Sequence, residues 1–322
     1  MWGACGVHII CGFLGLCGEL GLCKTAREKL PNENSINQRV PPPACASCPS
    51  QRALFVMSVW SLQTRLSSVR APRQETAFAA LRRRTYAAAF VLLVLAMTCL
   101  LWDLGAPHRA PLIFLHSRPT VLTFGAYTLA IEAVLTVLLA ATYLLKRPAL
   151  QGSALTIAEF LCSVGAIVTM SYTGVFLMSG GIPFWNTWAL VGLFTFSSIS
   201  AGVSTVLLID WFTQGQTLLL RASKPLQRWH LGCLAGETVF LALFTYDVLS
   251  NPSANAARTL LLSPDMLATA VVGVAGFGIT LPAALETYSL TRKDCRTIPV
   301  SDVACLLGCL ILRYVVIACG VH

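Results

Sequence analysis

The stretch SYTGVFLMSGGIPFWNTW, residues 171 to 188, joins two long apolar runs of the chain, at 154 to 178 and 187 to 212. Each run is long enough to cross a bilayer core of about 30 Å, which needs roughly 20 apolar residues in a helix. Between the runs stand two consecutive glycines and a proline, which are residue types that favour turns. The stretch therefore predicts two membrane helices joined by a tight turn.

The composition of the whole chain agrees with a membrane protein. Of its 322 residues, 56% are hydrophobic and 11% are charged, and the mean hydropathy is +0.70. An ordinary soluble domain is about 25% charged. The formal net charge of +9 does not predict nucleic-acid binding, because the Lys and Arg residues stand between apolar runs and not along one soluble face. We predict an integral protein of the lipid bilayer with no nucleic-acid partner.

Eight apolar runs have the length of a membrane span, which predicts an all-α polytopic fold with eight transmembrane helices. They lie at about 3 to 23, 85 to 104, 120 to 145, 154 to 178, 187 to 212, 230 to 249, 265 to 288 and 302 to 321. The first run lacks the basic start and the clear cleavage site of a signal peptide, so we interpret it as a span.

The distribution of Lys and Arg between the spans predicts the orientation. The first, third, fifth and seventh loops carry 11, 2, 3 and 3 of these residues, whereas the second, fourth and sixth carry 2, 0 and 1. Short loops rich in Lys and Arg stay in the cytoplasm. Both termini and the even-numbered loops are therefore predicted to be external. The external end of a span is its outer end, and the cytoplasmic end is its inner end.

The spans divide the chain into four predicted parts. Residues 1 to 23 form the first transmembrane helix, and residues 24 to 84 form a long, basic and partly disordered cytoplasmic loop. Spans two to four occupy 85 to 178, and spans five to eight occupy 179 to 322. The loop includes a ten-residue apolar run, ALFVMSVWSL, that is too short to span the bilayer. It is either an interfacial segment or an insertion without function, and we favour the insertion.

The cysteines and histidines do not predict a metal or a haem. Most of the 13 cysteines lie in apolar runs, where cysteine behaves as a small hydrophobic residue. Cys45 and Cys48 form a single CxxC pair, whereas a structural zinc or iron-sulfur site usually needs four ligands. A b-type cytochrome needs pairs of inward-facing histidines on facing helices, and the five histidines of the chain do not supply them. We predict no haem and no metal in this chain.

Ionisable residues inside a membrane span cost about 2.5 to 3.5 kcal/mol each on insertion scales, and they invite a functional hypothesis. The candidates are His8, Glu19, Glu132, Glu159, Glu237, Asp247, Glu286 and Arg313. For each of them, a hydrogen bond between helices is the alternative to a role in proton transfer. The four deepest candidates are Glu132, Glu159, Glu237 and Arg313.

Several aromatic and polar residues gather at the outer ends of the spans. His8 lies near the outer end of span one and Tyr172 near the outer end of span four. Trp185 and Asn186 follow in the fourth loop on the same side, where Asn186 or Thr187 can cap the next helix. A lipid-soluble quinone needs hydrogen-bond donors for its two carbonyl oxygens, and oxidation of a quinol needs groups that take up protons. A phenol and an imidazole suit this chemistry, although Tyr and Trp also serve as plain interface anchors.

Four stretches of the chain together resemble the NrfD/PsrC family, the quinone-interacting membrane subunits of complex iron-sulfur molybdoenzymes such as polysulfide reductase. The stretches are WDLGAPHRAPLIF at 102 to 114, SRPTVLTFGAYTL at 117 to 129, SYTGVFLMSGGIPFWNT at 171 to 187 and CLILRYVVIACG at 309 to 320. The resemblance implies eight helices in two four-helix bundles, with the quinone in the first bundle. Tyr172 matches the family's quinone-bonding tyrosine and His8 its first-span histidine, and Trp185 and Asn186 would close the site.

The resemblance also implies a function and partners. The chain would exchange electrons between the menaquinone or ubiquinone pool and a four-cluster, ferredoxin-like iron-sulfur subunit that serves a molybdopterin catalytic subunit in the bacterial cytoplasmic (inner) membrane. It would not be a complete oxidoreductase by itself. One alternative is a purely structural membrane anchor. Another is a secondary transporter or channel, which should show internal repeats, and we find no convincing repeat.

Overall fold

The structure is a computed structural model that describes residues 72–103, 121–145, 152–212, 219–291 and 299–320. Within these residues the fold is all-α, as predicted, and contains no strand. The helices are α1 (Pro72–Asp103), α2 (Val121–Leu144), α3 (Gly152–Ser179), α4 (Trp188–Phe212), α5 (Leu219–Ser250), α6 (Asn255–Leu261), α7 (Pro264–Thr291) and α8 (Pro299–Gly320).

Six helices in the described ranges are long and apolar enough to cross a membrane. They are α2, α3, α4, α5, α7 and α8, and they coincide with predicted spans three to eight. The multi-pass membrane character of the chain is therefore confirmed. Predicted span one and most of the first loop lie outside the described residues. The count of eight spans and the arrangement in two four-helix bundles stay predictions.

Helix α1 begins before predicted span two, and it is not among the six helices named above. The span was predicted from residue 85, whereas the helix begins at Pro72. The added segment, PRQETAFAALRRR, is polar in part but rich in Ala, Glu, Gln, Leu and Arg, which are favourable helix formers. Proline is also well tolerated in the first turn of a helix. Hydropathy predicts only the apolar part of a helix. The helix itself extends further wherever the residues have a favourable helix propensity.

Several threonine hydroxyls inside the spans form hydrogen bonds within their own helix. Thr136 donates to the carbonyl of Glu132 at 2.8 Å, Thr142 to that of Leu138 at 2.8 Å, and Thr205 to that of Ala201 at 2.8 Å. Each bond joins residues four apart, one helical turn. Because lipid offers no hydrogen-bond partner, this local pairing lets Thr occur in a helix that crosses the bilayer.

The long helices pack in two groups. Helices α1, α2 and α3 form the α1–α3 group, and α4, α5, α7 and α8 form the α4–α8 group. The two groups meet mainly where α3 packs against α4. The larger apolar core lies in the α4–α8 group and includes Phe184, Leu193, Phe244 and Val315.

Small residues bring neighbouring backbones close together. A Cβ atom added at Gly174 of α3 would lie 2.6 Å from the Cα atom of Val191 on α4. The π-helical part of α7, Thr269–Thr280, makes a similar contact with α8, where a Cβ atom at Gly278 would lie 3.2 Å from the Cα atom of Gly308. Close packing at small residues is a main source of attraction between helices in lipid.

Candidate functional site

The turn between α3 and α4 is built as the sequence predicted. Gly181 adopts a positive φ of 72°, which other residues rarely adopt, and the Gly180 amide donates to the carbonyl of Leu177 at 3.0 Å. Thr187 then caps α4, because its Oγ1 accepts a hydrogen bond from the amide of Ala189 at 3.2 Å. The same hydroxyl donates to Asp247 of α5 at 2.5 Å, so the turn is tied to the C-terminal end of α5.

Trp185 and Asn186 occupy different environments within this turn. Trp185 is completely buried, its ring packs against Gly320, and its indole nitrogen donates to the carbonyl of Val316 at 3.0 Å. The indole N–H, which is the only donor of the Trp185 side chain, is therefore already bonded inside the α4–α8 group. Asn186 is exposed. Trp188, at 74% exposed, has the position expected of an interface anchor.

Tyr172 lies in α3 between the interior and the outer surface. Its side chain is half-buried, and its ring crosses the face of α2 where Gly125 leaves space. A Cβ atom at Gly125 would overlap the Tyr172 ring and hydroxyl. The ring also tilts against Phe176 with a centroid distance of 5.9 Å. Within the part of the chain that the structure describes, the Tyr172 hydroxyl has no hydrogen-bond partner.

Residues on both sides of Tyr172 fix its position. The Ser171 hydroxyl lies 3.1 Å from that of Thr195, which joins α3 to α4. Gly174, two residues later, makes the close contact with Val191. The Tyr172 backbone is therefore held against α4 while its side chain turns towards α2.

A buried carboxyl group lies about one helical turn deeper than Tyr172. Glu132 of α2 is completely buried, and the Thr169 hydroxyl donates to its Oε2 at 2.6 Å. Thr169 precedes Tyr172 by three residues on α3, which is about 4.5 Å along the axis. Glu132 Oε1 has no hydrogen-bond partner among the described residues. Glu132 Oε1 is thus an available hydrogen-bond acceptor about one helical turn from Tyr172.

Further polar groups continue towards the inner end of the α1–α3 group. The Tyr143 hydroxyl donates to the carboxyl group of Glu159, which is completely buried. Tyr143 stacks on Tyr86 with a centroid distance of 4.7 Å, and the guanidinium of Arg82 lies 4.3 Å from the Tyr143 ring centroid. Each of the two deep glutamates of this group therefore bonds to a hydroxyl group of the neighbouring helix.

A second buried cluster lies in the α4–α8 group. His230 of α5 contacts Glu286 of α7 through Nδ1, and its Nε2 lies 2.8 Å from the Ser200 hydroxyl and 3.2 Å from that of Ser204. Asp302 of α8 completes the cluster. His230 is 0%, Asp302 1% and Glu286 3% exposed, so the cluster is enclosed.

Arg313 of α8 has separate partners. Its Nη2 donates to the Ser198 hydroxyl at 2.9 Å and its Nη1 to the carbonyl of Cys309 at 3.0 Å. The guanidinium also lies 5.3 Å from the Phe194 ring centroid, within the range of a cation–π contact. The arginine therefore links α8 to α4.

His230 and Asp302 were not predicted as site residues from the sequence. The histidines were considered together as haem ligands, and Asp302 lies at the very start of its span. One signal was available, because the predicted topology puts His230, Glu286 and Asp302 at the inner ends of three spans. That three such ends meet depends on how the helices pack, which the sequence did not reveal.

Tyr172, Trp185 and Asn186 all lie at the same end of the helices, but no hydrogen bond or ring contact joins Tyr172 to Trp185. His8 lies outside the described residues, so its relation to Tyr172 stays a prediction.

The chain matches the family described as "Polysulphide reductase, NrfD" over residues 55–322. The match covers most of the chain, and the chain belongs to this family. No curated protein gives a further match.

Proposed function

We propose that this NrfD-family membrane subunit exchanges electrons between the quinone pool and a partner iron-sulfur protein, with Tyr172 as the hydrogen-bond donor to the quinone. One observation carries the proposal. Tyr172 combines a half-buried ring at the outer end of α3 with a hydroxyl that has no partner among the described residues. A polar hydroxyl in this position gains a hydrogen bond when a carbonyl oxygen arrives from the lipid.

Glu132 would assist Tyr172 by handling protons. Oxidation of a quinol to a quinone releases two electrons and two protons, and the electrons would leave for the iron-sulfur partner. Glu132 Oε1 is buried about one turn below Tyr172 and has no partner among the described residues, so it can take up one of the protons, and the imidazole of His8 would take up the other. Thr169 holds the other carboxyl oxygen and fixes the orientation of the group.

His8 would supply the second group of the site from span one, as the family resemblance implies. Asn186 is exposed at the same end as Tyr172, so its amide remains accessible to a quinone or a partner protein. Trp185 would support the site indirectly, because its buried ring holds the turn against α8.

The charge distribution supports an external position for this end of the molecule. We therefore propose that the four-cluster iron-sulfur subunit and the molybdopterin subunit dock on the external face of a bacterial inner membrane. A purely structural anchor is the second candidate, since the helices alone would tether soluble subunits. The availability of the Tyr172 hydroxyl favours the redox role.

The variant Tyr172→Phe tests the proposal in the assembled complex. It keeps the ring and its contact with Gly125 but removes the hydroxyl. We expect the apparent affinity for quinol to fall by the equivalent of about 0.5 to 1.5 kcal/mol, the usual contribution of one hydrogen bond. The measurement is steady-state turnover with quinol, compared with turnover driven by a dye that reduces the iron-sulfur partner directly.

Tyr246→Phe is the matched control. Tyr246 lies one residue from Asp247 at the same end of the helices and is 69% exposed, but it belongs to α5. We expect normal kinetics for this variant and normal dye-driven turnover for both. If Tyr172→Phe assembles normally and its quinol kinetics equal those of Tyr246→Phe, the structural anchor becomes the better explanation.

A further inference from the structure

We propose that His230, Glu286 and Asp302 bind a divalent transition-metal cation of the zinc type, which joins α5, α7 and α8 near their inner ends. The three side chains come from three helices, and their ligand atoms lie within 4.8 Å of one another. Two atoms bound to one tetrahedral zinc ion lie about 3.4 Å apart, since each bond measures about 2.0 to 2.2 Å. The most distant ligand atoms would therefore have to approach each other by about 1.4 Å when the ion binds.

The carboxylate oxygens of the cluster are incompletely satisfied. Glu286 Oε2 and Asp302 Oδ1 are both buried and have no hydrogen-bond partner among the described residues. An unpaired polar atom in an apolar interior costs free energy, and an ionised carboxylate costs more. A cation between these oxygens removes the cost, because each gains a ligand bond.

The charge balance also favours a divalent ion. A histidine that binds a metal is neutral, so the two carboxylates carry a charge of −2 and a divalent cation makes the site neutral. Without the ion, a protonated His230 pairs with Glu286 and the second carboxylate stays uncompensated. Arg313 does not supply the missing charge locally. It lies 11 residues after Asp302 on α8, which is about 16 Å along the axis, and it bonds to Ser198.

The surroundings of His230 suit a metal ligand. Its Nδ1 faces Glu286, while its Nε2 faces the hydroxyls of Ser200 and Ser204 and, at 3.6 Å, the thiol of Cys305. A histidine that binds a metal through one nitrogen usually donates its other N–H to a neighbouring acceptor, which fixes the ring. A hydroxyl oxygen at 2.8 Å provides this acceptor. Imidazole together with carboxylates favours zinc-type cations over Ca²⁺ or Mg²⁺, which prefer oxygen ligands alone.

The position of the cluster gives an ion a short entry path. His230 lies four residues inside the span Leu226–Ser250, Asp302 three residues after Pro299, and Glu286 five residues before Thr291. At about 1.5 Å per residue, all three lie within roughly 8 Å of the ends of these spans. The site is independent of the proposed quinone chemistry, so each can be tested without the other.

The metal content of the purified full-length chain tests the proposal. The protein is loaded with Zn²⁺ in detergent, passed through metal-free buffer, and analysed by mass spectrometry of the elements. We expect about one zinc per chain, as for a structural site. Asp302→Asn should lower the content to that of the buffer blank, because one ligand and one charge are lost.

Two control variants separate this site from other zinc binders. Glu237→Gln changes another buried acid of α5 outside the cluster and should keep the zinc. A double variant, Cys45→Ser with Cys48→Ser, removes the CxxC pair and should also keep it. If zinc persists in Asp302→Asn but disappears with the cysteines, the proposal is wrong.

Spectroscopy on the unaltered chain gives an answer even where Asp302→Asn does not fold. X-ray absorption at the zinc edge should show a shell of nitrogen and oxygen ligands, and a shell dominated by sulfur would contradict the proposal. A zinc-loaded chain that retains no metal would also contradict the proposal. So would an infrared band of a buried protonated carboxylic acid in the zinc-loaded chain that is lost in Asp302→Asn. In those cases the carboxylates are neutralised by protons or the zinc binds elsewhere.

Discussion

The group formed by Tyr172, Thr169 and Glu132 and the cluster formed by His230, Glu286 and Asp302 differ in their access to the surface of the molecule. Tyr172 is half-buried beside α2, whose neighbouring side chains Phe124 and Ile131 are 58% and 60% exposed. His230 and Asp302 are enclosed at 0% and 1% exposed. A lipid-soluble ligand can approach only the first cluster from the hydrocarbon, whereas an ion that loses its water fits the second. Both groups contain a buried glutamate, and the difference in access is the reason that we propose different roles for them.

The largest effect is expected when the cluster of His230, Glu286 and Asp302 is disrupted. His230→Ala leaves the carboxyl group of Glu286 buried without its partner, and removal of one member of a buried ion pair usually costs about 3 to 5 kcal/mol. We expect a correspondingly lower free energy of unfolding, measured by denaturation in detergent. Trp229→Ala, at the adjacent residue that is 63% exposed, should cost far less. Equal losses in the two variants would mean that the cluster does not stabilise the fold.

The next effect concerns function and not stability. Glu132→Gln keeps the shape of the side chain and can still accept the Thr169 hydrogen bond, but it cannot take up a proton. We expect quinol-driven turnover to fall about 100-fold, the lower end for loss of a general base. The unfolding free energy and the dye-driven turnover should change little. Unaltered quinol turnover would show that Glu132 only joins helices. Glu132 would then have a structural role and no role in proton transfer.

A smaller effect follows if the phenol is moved but not removed. Gly125→Ala places a methyl group where the Tyr172 ring now lies, and overpacking of this kind costs about 1 to 3 kcal/mol. We expect weaker quinol binding in steady-state kinetics. Gly165→Ala on α3 is the control, since a Cβ atom at Gly165 meets nothing within 4 Å. Identical kinetics for both variants would mean that the exact position of the phenol does not matter.

The smallest effect tests the turn that borders the first cluster. Thr187→Ala removes the cap of α4 and the bond to Asp247, which should lower the unfolding free energy by about 1 kcal/mol. Thr245→Ala is the control, because Thr245 bonds only within α5. We expect quinol kinetics close to normal in both. A large kinetic defect in Thr187→Ala alone would extend the site into the turn.

The sequence predicted the described spans well because membrane insertion depends on a local property. About 20 consecutive apolar residues suffice, and the helix must satisfy its own backbone whatever its neighbours are. The turn was predicted equally well, because Gly181 acts through its own backbone conformation and Thr187 through its own side chain. The start of α1 was missed because a helix continues beyond the apolar run wherever propensity allows.

The candidate site was only partly predictable for the opposite reason. Tyr172 was found through its motif and its end of the span, but its contact with Gly125 depends on the rotation of two helices about their axes. Trp185 faces the interior and bonds to Val316, although its neighbours in sequence gave no sign of this. The meeting of His230 with Asp302 needs three helices in a fixed order, which hydropathy does not encode.

The contact between α3 and α4 has a mechanical consequence. Gly174 and Val191 bring two backbones together without intervening side chains, and the bond between Ser171 and Thr195 lies beside them. Sliding of packed helices is the shear type of motion, which shifts atoms by small distances. A displacement of α3 caused by a ligand at Tyr172 would therefore move α4 with it, so that the two helices would shift as one rigid unit.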